Sequence, residues 1–256
     1  MKVLDYKKWL LSLGLLLSIT SYAEEVTDND IPVISPLATE VEFGYQAYSG
    51  NSDSESLNAR FSVEYKAGRY RSTGEWKYFM LYKDDLEERR QSTYQAQVDY
   101  KLGAKSYLYG SFKRIDSKHS AYFKNYTLSS GLGYQFSYTK RFVFELELGP
   151  GFRYQEPNLS KIGKKDIIFS EKVEEVICRA NVNTTWQALD NLSLSANLTI
   201  VSGKSNTQTD TVLSATNNIT ESIALKLSHS SQYYNKVPDG LNKQDSIFSV
   251  NLLFLF

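Results

Sequence analysis

Between Ser56 and Lys66 the side chains alternate without a break. Leu57, Ala59, Phe61, Val63 and Tyr65 occupy one set of positions, and Ser56, Asn58, Arg60, Ser62, Glu64 and Lys66 the other. A helix of 3.6 residues per turn would spread both sets around its circumference, whereas a β-strand sends them to opposite faces. The same pattern returns at residues 142–154, where Phe142, Phe144, Leu146, Leu148, Pro150, Phe152 and Tyr154 oppose Val143, Glu145, Glu147, Gly149, Gly151 and Arg153. It returns again at 192–200, with Leu192, Leu194, Ala196, Leu198 and Ile200 against serine, asparagine and threonine. Residues 245–256 are more apolar still, with Phe248, Val250, Leu252, Phe254 and Phe256 on one face and Ser249, Asn251, Leu253 and Leu255 on the other. A strand of that composition needs protein or lipid against its apolar face.

Counting such segments from Val41 onward predicts twelve strands, the last pairing with the first. The fold expected is all-β: a single antiparallel transmembrane β-barrel of about 12 strands in an up-and-down meander. An even count places both barrel termini at one end. A soluble β-sandwich also alternates, but it seldom needs strands of the ~9–11 residues that span a bilayer. Turn signals separate the strands, among them Gly50-Asn51-Ser52-Asp53, Ala67-Gly68 and Gly103-Ala104-Lys105. Longer polar loops are expected at residues 84–90, 155–170 and 235–244. Strand five stays open in register, since either Tyr107 and Tyr109 or Leu108, Gly110 and Phe112 can face outward. Pro150 removes a ladder donor, so a bulge or bend is expected there.

Residues 1–23 read as a secretory signal peptide: Lys2, Lys7 and Lys8, then the apolar run 9–19, then Ser21-Tyr22-Ala23 as a small-x-small cleavage site. The apolar run is too short for a membrane-spanning helix, which needs roughly 20 residues. Residues 24–37 are polar, carry Pro32 and Pro36, and read as a poorly ordered periplasmic lead-in; residues 38–256 form the barrel. Lys+Arg and Asp+Glu both number 29, and the leader removes three lysines and one aspartate. The chain that is left has no basic excess to attract nucleic acid. A negative mean hydropathy combined with 14% aromatic residues suits a barrel with a lipid face and a polar lumen.

Certain motifs resemble a known family. Glu42-Phe43-Gly44-Tyr45 with Ser49-Gly50-Asn51-Ser52-Asp53-Ser54 is similar to the opening of the YdiY-like salt-stress-induced outer-membrane proteins. So are Gly131-Leu132-Gly133-Tyr134, Leu148-Gly149-Pro150-Gly151-Phe152-Arg153-Tyr154, and Asp245 with the terminal strand. The resemblance covers residues 40–256. It implies an outer-membrane barrel linked by name to salt stress, with no biochemical activity attached. Phe254-x-Phe256 is similar to the signal by which the barrel-assembly machinery recognises its clients.

The lumen-facing set predicted by alternation is dense in charge: Glu42, Arg60, Glu64, Arg71, Glu75, Lys77, Glu145, Glu147, Arg153, Arg179 and Lys226. Two readings compete. These residues line a narrow pore for ions or small solutes, or they pair and plug a structural envelope barrel. Leu253 and Leu255 on the lumen side suggest that the periplasmic end is covered, with residues 24–37 as the candidate cover. No enzyme activity is expected. The alternative is a lipid hydrolase using His229 as base and Ser231 as nucleophile, because two residues apart on a strand places both on one face. His119 falls in a polar loop. Two histidines and the single Cys178 build no metal site. No cofactor is expected, and the partners expected are outer-membrane lipid, lipopolysaccharide and the assembly machinery, around a monomer or small oligomer.

Overall fold

A computed structural model describes residues 36–48, 54–118, 122–158, 171–237 and 242–256. Residues 1–35 (which include the expected signal peptide), the turn at Gly50-Asn51-Ser52-Asp53 and His119 lie outside them.

The described chain folds into twelve strands. In order they are β1 (Leu37–Tyr48), β2 (Ser54–Ala67), β3 (Tyr70–Lys83), β4 (Leu86–Lys101), β5 (Ser106–Ser117) and β6 (Tyr122–Tyr138), followed by β7 (Phe142–Pro157), β8 (Val173–Leu189), β9 (Leu192–Gly203), β10 (Thr207–Asn218), β11 (Ile223–Tyr234) and β12 (Gln244–Leu255). Each pairs antiparallel with its chain neighbours, and β12 pairs with β1 to close the barrel. Closure removes every sheet edge, so backbone donors and acceptors are satisfied without water. A 12-residue strand tilted by about 40° rises roughly 30 Å, the thickness of a hydrocarbon core.

The outer face is apolar on every strand. Phe61, Tyr94, Leu108, Leu132, Leu148, Val176, Leu194, Leu213, Leu225 and Phe248 are all exposed on it, and Cys178 is exposed as well. An apolar belt this continuous is a lipid-facing surface, since in water it would be an aggregation site. Tyr134 and Phe136 stack at 4.9 Å near the end that carries Leu37 and Leu255, and Tyr70 and Tyr100 pair at 5.1 Å at that same end. Such clusters match the aromatic girdle of a membrane interface.

The seam between β1 and β12 is short. Glu40, Val41, Glu42 and Phe43 partner Leu255, Phe254, Leu253 and Leu252. Thr39 and Phe256 extend it by exchanging N–H···O bonds of 3.1 and 2.9 Å. Phe256 is exposed on the outer face and Leu253 is buried inside. Of the suggested cover at this end, residues 24–37, the stretch 24–35 lies outside the described residues, and Leu37 opens β1.

Three expectations are corrected. Residues 84–90 are not a loop: β4 begins at Leu86, and the connection is the two-residue turn Asp84-Asp85, with φ of 48° and 61°. Positive φ at both positions is what a tight hairpin of the primed type demands, and aspartate tolerates it. Charged residues fit here on a strand because β4, at 16 residues, is longer than the ~9–11 residues that span a bilayer, and charge beyond that span costs little. Gln155 opens no loop either, since β7 runs on to Pro157 and Gln155 is buried in the lumen. Pro150 causes no bulge. The β7–β8 register passes unbroken through Pro150 opposite Cys178, and the β6–β7 register is the same on both sides of it.

Candidate functional site: an ion-paired lumen

The inner face of the barrel is as polar as the outer is apolar. In the half nearer Leu37 and Leu255, alternation brings four inward charged strands together. Arg60 on β2 donates from Nη1 to Glu40 at 2.7 Å and to Glu42 at 2.6 Å, and from Nε to Glu75 at 2.6 Å. Lys226 on β11 reaches Glu42 at 2.5 Å, and Lys77 reaches Glu75 at 2.8 Å. Asn251 donates to Glu42 at 3.3 Å. Its amide lies over Gly44, where a Cβ would collide with it. The glycine of the Glu-Phe-Gly-Tyr motif is therefore the space that Asn251 needs.

A second cluster spans the lumen. Arg71 on β3 holds Asp99 on β4 through Nε at 2.7 Å and Glu145 on β7 through Nη1 at 3.0 Å. Gln135 donates to Glu145 at 2.6 Å. Glu147 accepts from Arg179 at 2.7 Å, Gln97 at 2.7 Å and the Tyr107 hydroxyl at 3.1 Å. Burying so many charges is tolerable only because each finds an opposite charge and further hydrogen bonds.

Tyr107 settles the register of β5. Its ring is 2% exposed and faces inward, as does Tyr109, while Leu108 and Phe112 face lipid. The ring lies against Gly133, where any Cβ would run into it. Arg71 stacks over the same ring at 5.3 Å. Nearby, Gly131 and Gly149 bring the β6 and β7 backbones so close that a Cβ on either would strike the other strand. Gly133 of the Gly-Leu-Gly-Tyr motif thus makes room for a flat aromatic ring, while Gly131 and Gly149 let the two strand backbones meet.

At the opposite end Arg153, 0% exposed, pairs with Glu175 and donates to the Asn206 carbonyl at 2.8 Å. Ser205 caps Glu175 through its hydroxyl at 2.6 Å and its N–H at 2.8 Å. Asn206 donates to the Tyr122 hydroxyl at 2.8 Å and to Gln155 at 3.2 Å. This cluster ties β6, β7 and β8 to the turn between β9 and β10 on the lumen side. Two further pairs cross the interior, Lys113 on β5 to Asp210 on β10 at 2.7 Å and Arg89 on β4 to Asp245 on β12 at 3.4 Å. Beside them a cavity of about 460 Å³ runs from Arg89, Gln232 and Asp245 down to Glu42, Arg60 and Lys226.

The eleven charged residues singled out by alternation therefore fall into groups. Glu42, Arg60, Glu75, Lys77 and Lys226 form one network, Arg71 and Glu145 a second, and Glu147 and Arg179 a third that the Tyr107 and Gln97 contacts join to the second. Arg153 stands apart with Glu175, and Glu64 pairs along its own strand, with Lys66 at 2.6 Å. Sequence reasoning missed Asp99, Lys113, Glu175, Asn206, Asp210 and Asp245 as lumen residues. Asp99 shares the inward parity of Gln97 on β4 and was findable. Lys113 sat on the strand of open register, and the alternation of β10 around Asp210 is weak. His229 and Ser231 lie on the outward parity of β11 with Leu225 and Leu227. His229 is flanked by Leu213 and Phe248, and the Ser231 hydroxyl is hydrogen-bonded with Gln244 at 2.9 Å. Among the described residues no group of three or more His, Cys, Asp or Glu could hold a metal.

The chain is similar to known proteins. The family described as "Protein of unknown function, DUF481" matches residues 41–256. The "Uncharacterized protein YdiY" of Escherichia coli (strain K12) is 26% identical over 155 residues, covering 57% of this chain and 60% of that protein. The match thus spans less than two thirds of the relative's length. Among solved structures, the COG4313 outer membrane channel from Pseudomonas putida F1 aligns with a TM-score of 0.51 at 11% identity, over 91% of this chain and all of that one. The NanC porin aligns with a TM-score of 0.48 at 12% identity, over 85% of this chain and 97% of its own. The fold is that of the outer-membrane β-barrels.

Proposed function

Because the chain belongs to the DUF481 family of proteins of unknown function, its activity has to be read from the barrel itself, and we propose that it is an outer-membrane pore for small polar solutes. The observation that carries this reading is the polar cavity of about 460 Å³ inside a barrel whose outer face is apolar. A structural barrel gains nothing from an unfilled, charged interior, because packed apolar side chains would stabilise it more. The clusters around Arg71 and Arg153 narrow the route and leave the side lined by β1–β4 and β9–β12 for passage.

The apolar belt and the leader at residues 1–23 support placement in the outer membrane, with Leu37 and Leu255 on the periplasmic side and lipid and lipopolysaccharide around a monomer. Phe254 and Phe256 supply the signal for the assembly machinery. A link to salt response rests on the family resemblance alone. The test is potassium efflux from vesicles containing the refolded protein. Efflux that scales with protein content supports a pore. Vesicles that stay tight, with the protein folded by its heat-dependent gel mobility, count against it.

A further inference from the structure

Among the described residues, every cation lining the cavity is already ion-paired. Arg60 and Lys77 are held by Glu75, Lys226 by Glu42, Lys113 by Asp210 and Arg89 by Asp245. A charged solute entering here meets no free counter-charge. It would have to break a pair, stranding one partner, or leave its own charge poorly solvated. Between Lys226 and the pairs at Asp210 and Asp245, the wall formed by β9–β12 carries no charge at all. Ser214, Ser228, Ser230 and Ser249 line it, interleaved with Val212 and Ile247. The serines are linked in pairs, Ser195 with Ser214 at 2.6 Å and Ser228 with Ser249 at 2.7 Å. A hydroxyl both donates and accepts, so each keeps bonding capacity for a solute. Phe79 also lines the cavity, with Arg89 over its ring at 5.8 Å.

Resting on the pore reading above, we infer that the cavity selects neutral, hydroxyl-rich solutes of sugar or polyol type over ions of the same size. Alternating hydroxyl and aliphatic groups on the wall complement a molecule that alternates C–OH with C–H. Phe79, with Arg89 over one face of its ring, adds apolar surface for its C–H groups. The volume lies within the 300–1,000 Å³ typical of small-molecule sites.

The test is osmotic swelling of vesicles containing the refolded full-length protein, with sorbitol against sodium gluconate and glucosamine hydrochloride. Sorbitol is expected to enter at least tenfold faster than either ion. Changing the hydroxyl wall, as in Ser214→Val with Ser228→Val, is expected to cut sorbitol entry several-fold while leaving heat-dependent gel mobility unchanged. A second variant, Asp245→Asn, unpairs Arg89 and should raise gluconate entry alone. Equal entry of all three solutes, or faster entry of an ion, in vesicles that still conduct potassium would overturn the inference and leave the pore standing. Vesicles that admit nothing and conduct nothing would remove both.

Discussion

Arg71 on β3 lies 3.0 Å from Glu145 on β7 and 2.7 Å from Asp99 on β4, so one cation ties both acids and crosses the lumen. Both carboxylates are nearly inaccessible to water. Removing the cation in Arg71→Ala leaves them uncompensated, at a cost on the order of 3–5 kcal/mol. The expected outcome is a lower temperature for loss of the compact band on unheated SDS gels, with a larger unit conductance because the strut is gone. Arg71→Lys should be intermediate, since a point charge cannot span two acids as a guanidinium fork does.

Gly133 tests the packing device. Gly133→Val forces a side chain into the Tyr107 ring, and overpacking of this kind costs about 1–3 kcal/mol. The ring carries a hydrogen bond to Glu147, so displacing it also strips that acid of a donor. In urea titrations in lipid vesicles, Gly133→Val combined with Tyr107→Ala should be less destabilised than the sum of the two single changes. Strict additivity would mean that the ring and the glycine are not in contact.

Orientation of the faces is checked by placing one charge on each side. Leu148 sits mid-strand on the outer face and is exposed. Leu148→Lys should cost about 2–4 kcal/mol of folding free energy in bilayers. Ser230 lines the cavity, and Ser230→Lys should cost clearly less than Leu148→Lys while altering conductance. Reversed costs in the same urea titrations would mean that the assigned faces are inverted.

The Arg89–Asp245 pair is long and partly exposed, so its contribution to stability is at most about 1 kcal/mol and is screened by salt. Asp245→Asn should leave the unfolding midpoint almost unchanged. It should shift the reversal potential in a potassium chloride gradient toward chloride, more strongly at low ionic strength than at high. An unshifted potential would place this pair outside the conducting path.

The fold was legible because period-two alternation is a local signal, and residues 56–66 or 142–154 admit no helix. The inward parity of Glu145, Arg153 and Arg179 followed from it. What did not follow was who meets whom. Arg71 and Glu145 stand 74 positions apart, and their meeting depends on the tilt and stagger of the closed barrel, which no strand carries alone. Strand β5 was ambiguous for a different reason. Both of its faces bear large apolar rings or chains, and the choice is made on β6, by the missing Cβ of Gly133. The run at 84–90 is not legible because a cluster of charges is shared by loops and by the ends of strands longer than a bilayer needs, and β4, at 16 residues, is such a strand.

The most direct measurement is single-channel recording of the purified, refolded protein in planar lipid bilayers. The account predicts discrete, uniform conductance steps in potassium chloride, small for a barrel of this size because the Arg71 and Arg153 clusters occupy part of the lumen, and larger in Arg71→Ala. Silent bilayers containing protein with the heat-dependent gel mobility of a folded barrel, in the native form and in Arg71→Ala alike, would contradict it.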